Sequence, residues 1–316
     1  MAPATEGPLT ALPVRLHNPS ATGIHGLTPS DAHPYRNRLL TETGAGRRRV
    51  REKKQEMKAL VLAAGYATRL RPLSDETAKP LLPLAGRPML DYVCDRIDEV
   101  EEVGELHVVS NALFAGAFER WAEARRGRLR PLVHDDRTRS NEERLGAIAD
   151  VRFVVEQAGL GGEDLLVVAG DNLFDFSLRA QVDFWRSRSA SADGSAVSCV
   201  AVHRSADGEL VSLYGVVVLG EDGRVLDFVE KPQQPPSDLI ATASYVFAGG
   251  HVALIDRYLT EGNSPDQPGN FVAWLHSREP VYGFVFEELW LDIGDQEQLR
   301  AADELLRGRL GLSRGL

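Results

Sequence analysis

From residue 58 onward the chain alternates between short runs of apolar residues and longer segments with helical periodicity. The runs are almost wholly hydrophobic, as expected for strands that are buried on both faces of a parallel sheet. Strands that alternate with helices build a sheet with helices packed on both sides. The first half of the pattern predicts strands at 58–63, 105–110, 129–134 and 164–169 and helices at 88–103, 112–126 and 144–158.

The second half of the pattern is richer in strands and shows no internal repeat. It predicts strands at 196–202, 213–219, 225–229 and 281–286 and a last helix at 296–307. We therefore expect one α/β domain over residues 57–316, built on a Rossmann-like, mixed and mostly parallel sheet that helices cover on both faces. A chain of 316 residues with 43% hydrophobic residues is long enough for such a core.

Residues 1–56 differ from the rest of the chain. They hold 6 of the 17 prolines, they show no apolar periodicity, and they end in a basic run from Arg47 to Lys54. They lack the continuous apolar stretch of about 7–15 residues that a signal peptide needs. This composition predicts a disordered N-terminal extension, with a basic tethering arm as the alternative. Met57 stands directly before the first predicted strand and is a candidate start of translation.

The charge of the predicted domain argues against nucleic acid as a partner. Residues 57–316 carry 27 Lys and Arg against 41 Asp and Glu, whereas a protein that binds a phosphate backbone shows a basic surface. No apolar run approaches the roughly 18 residues of a membrane helix, so no membrane partner is predicted. The two cysteines, Cys94 and Cys199, are too few for a disulfide framework or a zinc cluster. A reducing cytoplasm is the predicted location.

A turn of small residues follows the first predicted strand, at the place where open α/β sheets bind ligands. It comprises Ala63, Ala64 and Gly65 and leads to Thr68, Arg69 and, further on, Lys79. Small residues let backbone N–H groups approach phosphate oxygens, and the two cations supply positive charge. The turn lacks the Gly-Lys-Ser/Thr ending of a Walker loop and the glycine set of a dinucleotide fingerprint. A plain strand-to-loop turn with two solvated cations is the alternative.

Lysine usage favours the phosphate interpretation. Only 5 of the 36 basic residues are lysines, and two of the three in the predicted domain stand directly before proline, at Lys79 and Lys231. A compact ammonium binds phosphate as a point charge where a planar guanidinium does not fit.

Two acidic residues lie in apolar surroundings far apart in the sequence. Asp171 follows the predicted strand 164–169, and Asp292 follows the apolar stretch 289–291. Taken singly, each is a candidate turn or cap residue. Taken together, they are candidates for holding Mg²⁺, since phosphoryl and nucleotidyl transfer depend on positioning and charge neutralisation.

The stretch from Leu62 to Pro83 resembles the signature of the sugar-1-phosphate nucleotidyltransferases, the family of glucose-1-phosphate thymidylyltransferase and mannose-1-phosphate guanylyltransferase. The similarity extends from Met57 to about Leu306, and it implies the nucleotide-diphospho-sugar transferase fold. Two positions depart from the signature. Ala67 replaces the usual second glycine, which is costly if that position needs a positive φ, and Ala78 replaces the proline that usually precedes the lysine.

The resemblance also implies roles for individual residues. The turn of Ala63, Ala64 and Gly65, with Thr68 and Arg69, would bind the nucleotide. Arg69, Lys79 and Asp171 would be catalytic, and Asp171 and Asp292 would bind Mg²⁺ as the cofactor. Glu230 would contact sugar hydroxyls, Lys231 would pair with the sugar phosphate, and Gly215 would let the sugar lie against backbone.

Base recognition is the least defined part of the predicted site. In the thymidylyl enzymes a glutamine five residues before a glycine binds the pyrimidine, and here Asn141 lies five residues before Gly146. A shorter amide keeps a donor and an acceptor, but its reach differs. The alternative is that Asn141 caps the following helix.

The predicted function is a Mg²⁺-dependent nucleotidyltransferase that joins a nucleoside triphosphate to a sugar 1-phosphate and releases pyrophosphate. Three alternatives remain at this point. The first is the same chemistry on another acceptor, such as inositol phosphate or phosphocholine. The second is a non-catalytic regulatory protein that binds nucleotide sugars, and the third is an oxidoreductase. The sequence leaves the base, the sugar and the oligomeric state open, a homo-oligomer included.

Overall fold

The computed structural model describes residues 56–205 and 207–312. The prediction of a disordered extension therefore falls, except for Glu56, outside the described residues. The strands are β1 Met57–Leu62, β2 Pro83–Leu84, β3 Arg87–Pro88, β4 Val103–Ser110, β5 Pro131–Asp135, β6 Leu165–Ala169, β7 Asn172–Phe174, β8 Ser198–Arg204, β9 Gly215–Leu219, β10 Val225–Glu230, β11 Leu239–Phe247, β12 Val281–Phe286 and β13 Trp290–Asp292.

The helices connect and cover these strands. They are α1 Leu73–Glu76, α2 Met89–Asp98, α3 Ala115–Ala124, α4 Ala147–Ala158, α5 Leu178–Ala190, α6 Gly208–Val211, α7 Gly249–Val252, α8 Leu254–Thr260, α9 Pro268–His276 and α10 Gln296–Leu310, with 3₁₀ turns at Thr68–Leu70 and Lys79–Leu81.

One side of the main sheet is parallel. The strands lie in the order β6-β1-β4-β5, and every neighbouring pair among them is parallel. Leu62 at the end of β1 is in register with Val109 of β4 and Ala169 of β6. Because the carboxyl ends of parallel strands meet at one edge, the loops after β1 and β6 leave the sheet side by side.

Strand β11 extends the sheet on the other side of β6. It is antiparallel to β6 through Ser244–Phe247, and Ile240 further back pairs with β9. Its other pairing runs along β8, which in turn pairs with β12 in parallel. The sheet is therefore mixed, as predicted, with β10 next to β9 at the far edge.

The core lies in two layers because alternate residues of the central strands point to opposite faces. Ala59 and Val61 of β1 pack with apolar residues of α2, α3 and α5. Leu60, between them, packs on the other face with residues of α4, α8 and α9. The prediction of helices on both faces of the sheet is confirmed.

The predicted boundaries differ from the structure mainly in the first helix. It was expected over 88–103, but α2 ends at Asp98, and Val103 already starts β4. The apolar Val100 and Val103 are buried although they lie beyond the helix, so their hydrophobicity does not mark where the helix ends.

Candidate active site

The turn after β1 lies at the carboxyl edge of the sheet. Gly65, Thr68 and Arg69 are exposed there, whereas the N–H of Ala63 is taken up by a hydrogen bond of 3.0 Å to the carbonyl of Val109. Ala67 has φ 46° and ψ 43°, the left-handed conformation. Glycine, the usual residue of the family signature at this position, adopts that conformation readily. The exposed residues of the turn are therefore the ones placed to meet a ligand.

Asp171 reaches the same edge from β6. The N–H of Gly170, one residue earlier, donates to the carbonyl of Leu62 at 2.9 Å, which ties the end of β6 to the end of β1. The carboxylate accepts a hydrogen bond from Lys79 Nζ at 2.7 Å. Lys79 is only 8% exposed, so this ammonium is fixed against the carboxylate and little screened by water.

Two short strands bring Asp292 to Asp171. Strand β13 pairs with β7 so that Asp292 lies opposite Asn172. The side-chain amide of Asn172 donates to Asp171 Oδ1 at 3.0 Å and, with Nδ2, approaches Asp292 Oδ1 at 3.3 Å. The indole of Trp290 donates to Asn172 Oδ1 at 2.8 Å. The two carboxylates thus share one amide whose orientation a buried indole fixes.

The charges in this cluster influence each other. Burial raises the pKa of Asp292, and the nearby Asp171 raises it further, while Lys79, Arg69 and a hydrogen bond with Tyr214 oppose the rise. Because Asp171 raises the pKa of Asp292, positive charge added beside the two carboxylates would favour the ionised form of Asp292. The structure brings Arg69, Lys79, Asp171 and Asp292 close to one another.

These residues suit a hard divalent cation. Mg²⁺ is usually held by one or two carboxylates and completes its shell with water and substrate phosphates. Two half-buried carboxylates with a common amide meet that requirement. Among the described residues, no group of three or more His, Cys, Asp or Glu side chains is arranged to hold a metal.

Glu230 and Lys231 lie at the end of β10, beside β9. Burial raises the pKa of Glu230, and the neighbouring Lys231 opposes that rise. The N–H of Lys231 donates to the carbonyl of Tyr214 at 3.1 Å, and the Tyr214 hydroxyl forms a hydrogen bond with Asp292. Tyr214 therefore links Glu230 and Lys231 to the two aspartates.

The loop before α4 carries the predicted base-binding residues. Gly146 has φ 94°, and a Cβ there would lie 2.8 Å from the main chain of Pro265, so only glycine fits this contact. Helix α4 begins at Ala147 without a side-chain cap, so Asn141 does not cap it. Asn141 is half-exposed. Thr138, in the same loop, lies 2.8 Å from the hydroxyl of Tyr66, which connects the loop to the turn after β1.

Several site residues were not expected from sequence. The Asn172 amide contacts both carboxylates, the Trp290 indole donates to that amide, and the Tyr214 hydroxyl forms a hydrogen bond with Asp292. The only sequence signal for Asn172 and Trp290 is their position next to the predicted acids.

Paired acids and cations lie at the carboxyl ends of parallel strands, where open α/β sheets bind their ligands. The family model of the nucleotidyl transferases matches residues 58–308, and the chain belongs to this family of enzymes. It is 31% identical over 255 residues to mannose-1-phosphate guanylyltransferase of Mycobacterium tuberculosis, which covers 80% of this chain and 66% of that protein. It is 27% identical over 247 residues to UTP--glucose-1-phosphate uridylyltransferase of Synechocystis sp., covering 75% and 60%.

A solved structure shares the fold. The chain superposes on apo UDP-glucose pyrophosphorylase with a TM-score of 0.66 at 19% identity, covering 80% of this chain and 99% of that one. The predicted family and fold type are confirmed, and family membership removes the oxidoreductase alternative. The matched region spans only about two thirds of the length of these sequence relatives.

In the described part of the chain no helix has both the length and the apolar character to cross a membrane.

Proposed function

We propose that this chain is a Mg²⁺-dependent nucleotidyltransferase that joins a nucleoside triphosphate to a sugar 1-phosphate and releases pyrophosphate. The observation that carries the proposal is the cluster of Lys79, Asp171 and Asp292, in which Lys79 Nζ lies 2.7 Å from Asp171 and one amide approaches both carboxylates. The names of the relatives support the same reaction class, since one transfers a guanylyl group and another a uridylyl group to a hexose 1-phosphate.

The proposed reaction is an in-line displacement. A phosphate oxygen of the sugar 1-phosphate attacks the α-phosphorus, a new P–O bond forms, and the bond from the α-phosphorus to the bridging oxygen breaks, so that pyrophosphate leaves with both electrons of that bond. The nucleophile is already an anion, so no proton has to be removed and no covalent enzyme intermediate is needed. The contribution of the protein is to position the reactants and to stabilise charge.

The residues divide this work by position. The turn with Gly65, Thr68 and Arg69 would bind the triphosphate, and Arg69 would neutralise the leaving pyrophosphate. Asp171 and Asp292 would hold Mg²⁺, whose charge neutralises the triphosphate oxygens. Lys79 would orient the phosphates from its fixed place beside Asp171.

The acceptor would bind on the side of β9 and β10. Glu230 would accept hydrogen bonds from sugar hydroxyls, and Lys231 would pair with the sugar phosphate. The loop with Asn141, which lies close to Pro265 at Gly146, would bind the base. A cytoplasmic location stays a prediction.

A matrix of substrates tests the proposal directly. Pyrophosphate release is measured for ATP, GTP, UTP, CTP and dTTP, each with glucose, mannose and galactose 1-phosphates and with inositol phosphate and phosphocholine. Release with a sugar 1-phosphate supports the proposal. Release with only a non-sugar acceptor favours the first alternative, and nucleotide-sugar binding without any release favours a regulatory protein.

Asp171→Asn tests the carboxylate. Loss of one negative charge from the metal site should lower kcat by at least about 100-fold, which corresponds to about 2.7 kcal/mol of transition-state stabilisation. The matched control is Asp175→Asn, which removes an acid that pairs with Arg309 on the protein surface and should leave kcat near the wild-type value. Near-normal turnover in the Asp171 variant would remove that residue from the mechanism.

Lys231→Met tests the division between the two substrates. Because Lys231 would contact only the acceptor phosphate, the KM of the sugar 1-phosphate should rise about tenfold or more, as for the loss of a hydrogen bond between charged groups, with little change for the nucleotide. Lys58→Met is the control, since Lys58 pairs with Glu105 at the start of β1, away from the carboxyl edge. An equal rise in both KM values would assign Lys231 a different role.

A further inference from the structure

Gln267 joins the two proposed acceptor residues. It directly precedes helix α9 and is half-buried. With its amide oriented to satisfy both neighbours, the nitrogen donates to Glu230 Oε1 at 2.8 Å and the oxygen accepts from Lys231 Nζ at 3.2 Å. One neutral side chain therefore contacts a carboxylate with its donor end and an ammonium with its acceptor end.

The second carboxylate oxygen of Glu230 lies in a slot between two glycines. A Cβ at Gly215 would lie 3.0 Å from Glu230 Oε2, and a Cβ at Gly269 would lie 2.8 Å from the same atom. Both glycines also press against the ring of Phe228. Any side chain at either position would displace the carboxylate, so Oε2 is held in place while Oε1 is bound by Gln267.

The amide also separates two opposite charges that are adjacent in sequence. In the described part of the chain, Lys231 forms no direct ion pair with Glu230, and the amide is the group that both contact. Unlike charges in a partly buried place attract strongly. Without the amide, the flexible ammonium can fold onto the carboxylate, and such a pair would leave less charge for a ligand on either group.

We infer that Gln267 is a positioning and specificity-determining residue of the acceptor site, which keeps Glu230 available to sugar hydroxyls and Lys231 available to the sugar phosphate. The inference rests on the proposed function and deepens it. It assigns the choice of acceptor to a residue on the loop before α9, outside the motifs that predict the site.

The stretch around Gln267 also contacts the nucleotide side. The N–H of Ile148 donates to the carbonyl of Pro265 at 2.8 Å, and Arg144 Nη2 lies 3.2 Å from Asp266 Oδ2. Gln267 is therefore anchored against the loop that precedes α4. This anchoring gives the amide a fixed place from which to hold both acceptor residues.

The test compares Gln267→Ala with Asn270→Ala, which removes a half-exposed amide three residues further along, within α9. The substrates are the nucleotide and sugar 1-phosphate that the wild type uses fastest, together with deoxy analogues of that sugar phosphate. For Gln267→Ala the acceptor KM should rise about tenfold, the size of one lost hydrogen bond to a charged group. The nucleotide KM and the melting temperature should stay at the wild-type values, as should all values for Asn270→Ala.

Discrimination is the measurement that a merely structural role would not change. The ratio of kcat/KM between the sugar 1-phosphate and the analogue that lacks the hydroxyl bound by Glu230 should fall toward one in Gln267→Ala. Gln267→Glu should weaken acceptor binding further, because it places a second carboxylate against Glu230. An equal rise in both KM values, or unchanged discrimination, would overturn the inference while the wild type remains active. A wild type without activity in the whole substrate matrix would overturn the proposed function itself.

Discussion

At Ala67 the backbone adopts a conformation that alanine disfavours. Its φ of 46° is left-handed, and a Cβ in that region costs roughly 1–2 kcal/mol. The Ser74 hydroxyl donates to the Ala67 carbonyl at 2.9 Å, which helps hold the turn in this shape. Ala67 therefore has the backbone conformation typical of glycine and is strained in it.

Ala67→Gly should stabilise the protein. Relief of the left-handed strain exceeds the greater backbone entropy that glycine has in the unfolded chain, so a gain of about 0.5–1 kcal/mol is expected. Denaturant unfolding of both proteins measures it. Ala149→Gly in helix α4 is the control, and it should destabilise by a similar amount because glycine is unfavourable inside a helix. A loss of stability in Ala67→Gly would mean that the turn is not left-handed in solution.

The charged site residues that follow a strand could be predicted from the sequence. The amide side chains that contact them could not. Asp171 and Lys79 stand in motifs whose chemistry is specific. Asn172 and Gln267 carry amides, and amide side chains also occur in caps, turns and cores. An amide in the sequence therefore does not by itself indicate a site residue. Gln267 lies 36 residues from Lys231 along the chain, so only the fold brings its donor and acceptor to their partners.

The shortest elements carry the greatest part of the site geometry. Strands β7 and β13 have three residues each, too few for any periodicity to appear in sequence. Their pairing nevertheless sets Asp292 opposite Asn172. The parallel core was predictable because its central strands β1 and β6 are almost wholly apolar runs, whereas the pairing that completes the site depends on tertiary contacts.

A buried polar pair connects two elements that the sequence pattern did not predict, α5 and β11. Gln181 of α5 and Ser244 of β11 are almost fully buried, and the Ser244 hydroxyl donates to Gln181 Oε1 at 2.8 Å. Each residue interrupts the apolar stripe of its own element. Because the two satisfy each other's hydrogen bonds, they behave in the core as apolar residues would, which no pattern of hydrophobicity can reveal.

For the molecule as a whole, a buried acid should make stability depend on pH. Asp150 in α4 is 7% exposed, and burial, with a smaller contribution from Asp136, raises its pKa to about 7. Within residues 56–205 and 207–312, no group forms a hydrogen bond with its Oδ1. The folded state thus binds the proton more tightly than the unfolded state does, so Asp150 stabilises the protein at low pH, and this stability is lost as the pH rises from the unfolded value toward 7.

Asp150→Asn should remove this dependence. At pH 8 the variant should be more stable than the wild type by roughly 1–3 kcal/mol, since it avoids burying an ionised carboxylate, and the difference should shrink toward pH 5. Melting temperatures from pH 5 to pH 8 provide the measurement. Asp256→Asn, at a side chain 69% exposed, should follow the wild-type curve. If the melting temperatures of the wild type and of Asp150→Asn changed with pH in the same way, ionisation of Asp150 would not destabilise the folded protein.

The pairing of β7 with β13 has a consequence for the chain during its synthesis. The parallel core up to β6 is complete long before Asp292 emerges from the ribosome, but a nascent chain that stops short of β13 has only one of the two carboxylates. Such a chain would lack a complete place for the divalent ion. If Asp171 and Asp292 hold Mg²⁺ as proposed, products that end before β13 should not consume triphosphates even where part of the sheet has folded. Turnover would begin only after Asp292 has left the ribosome and β13 has paired with β7.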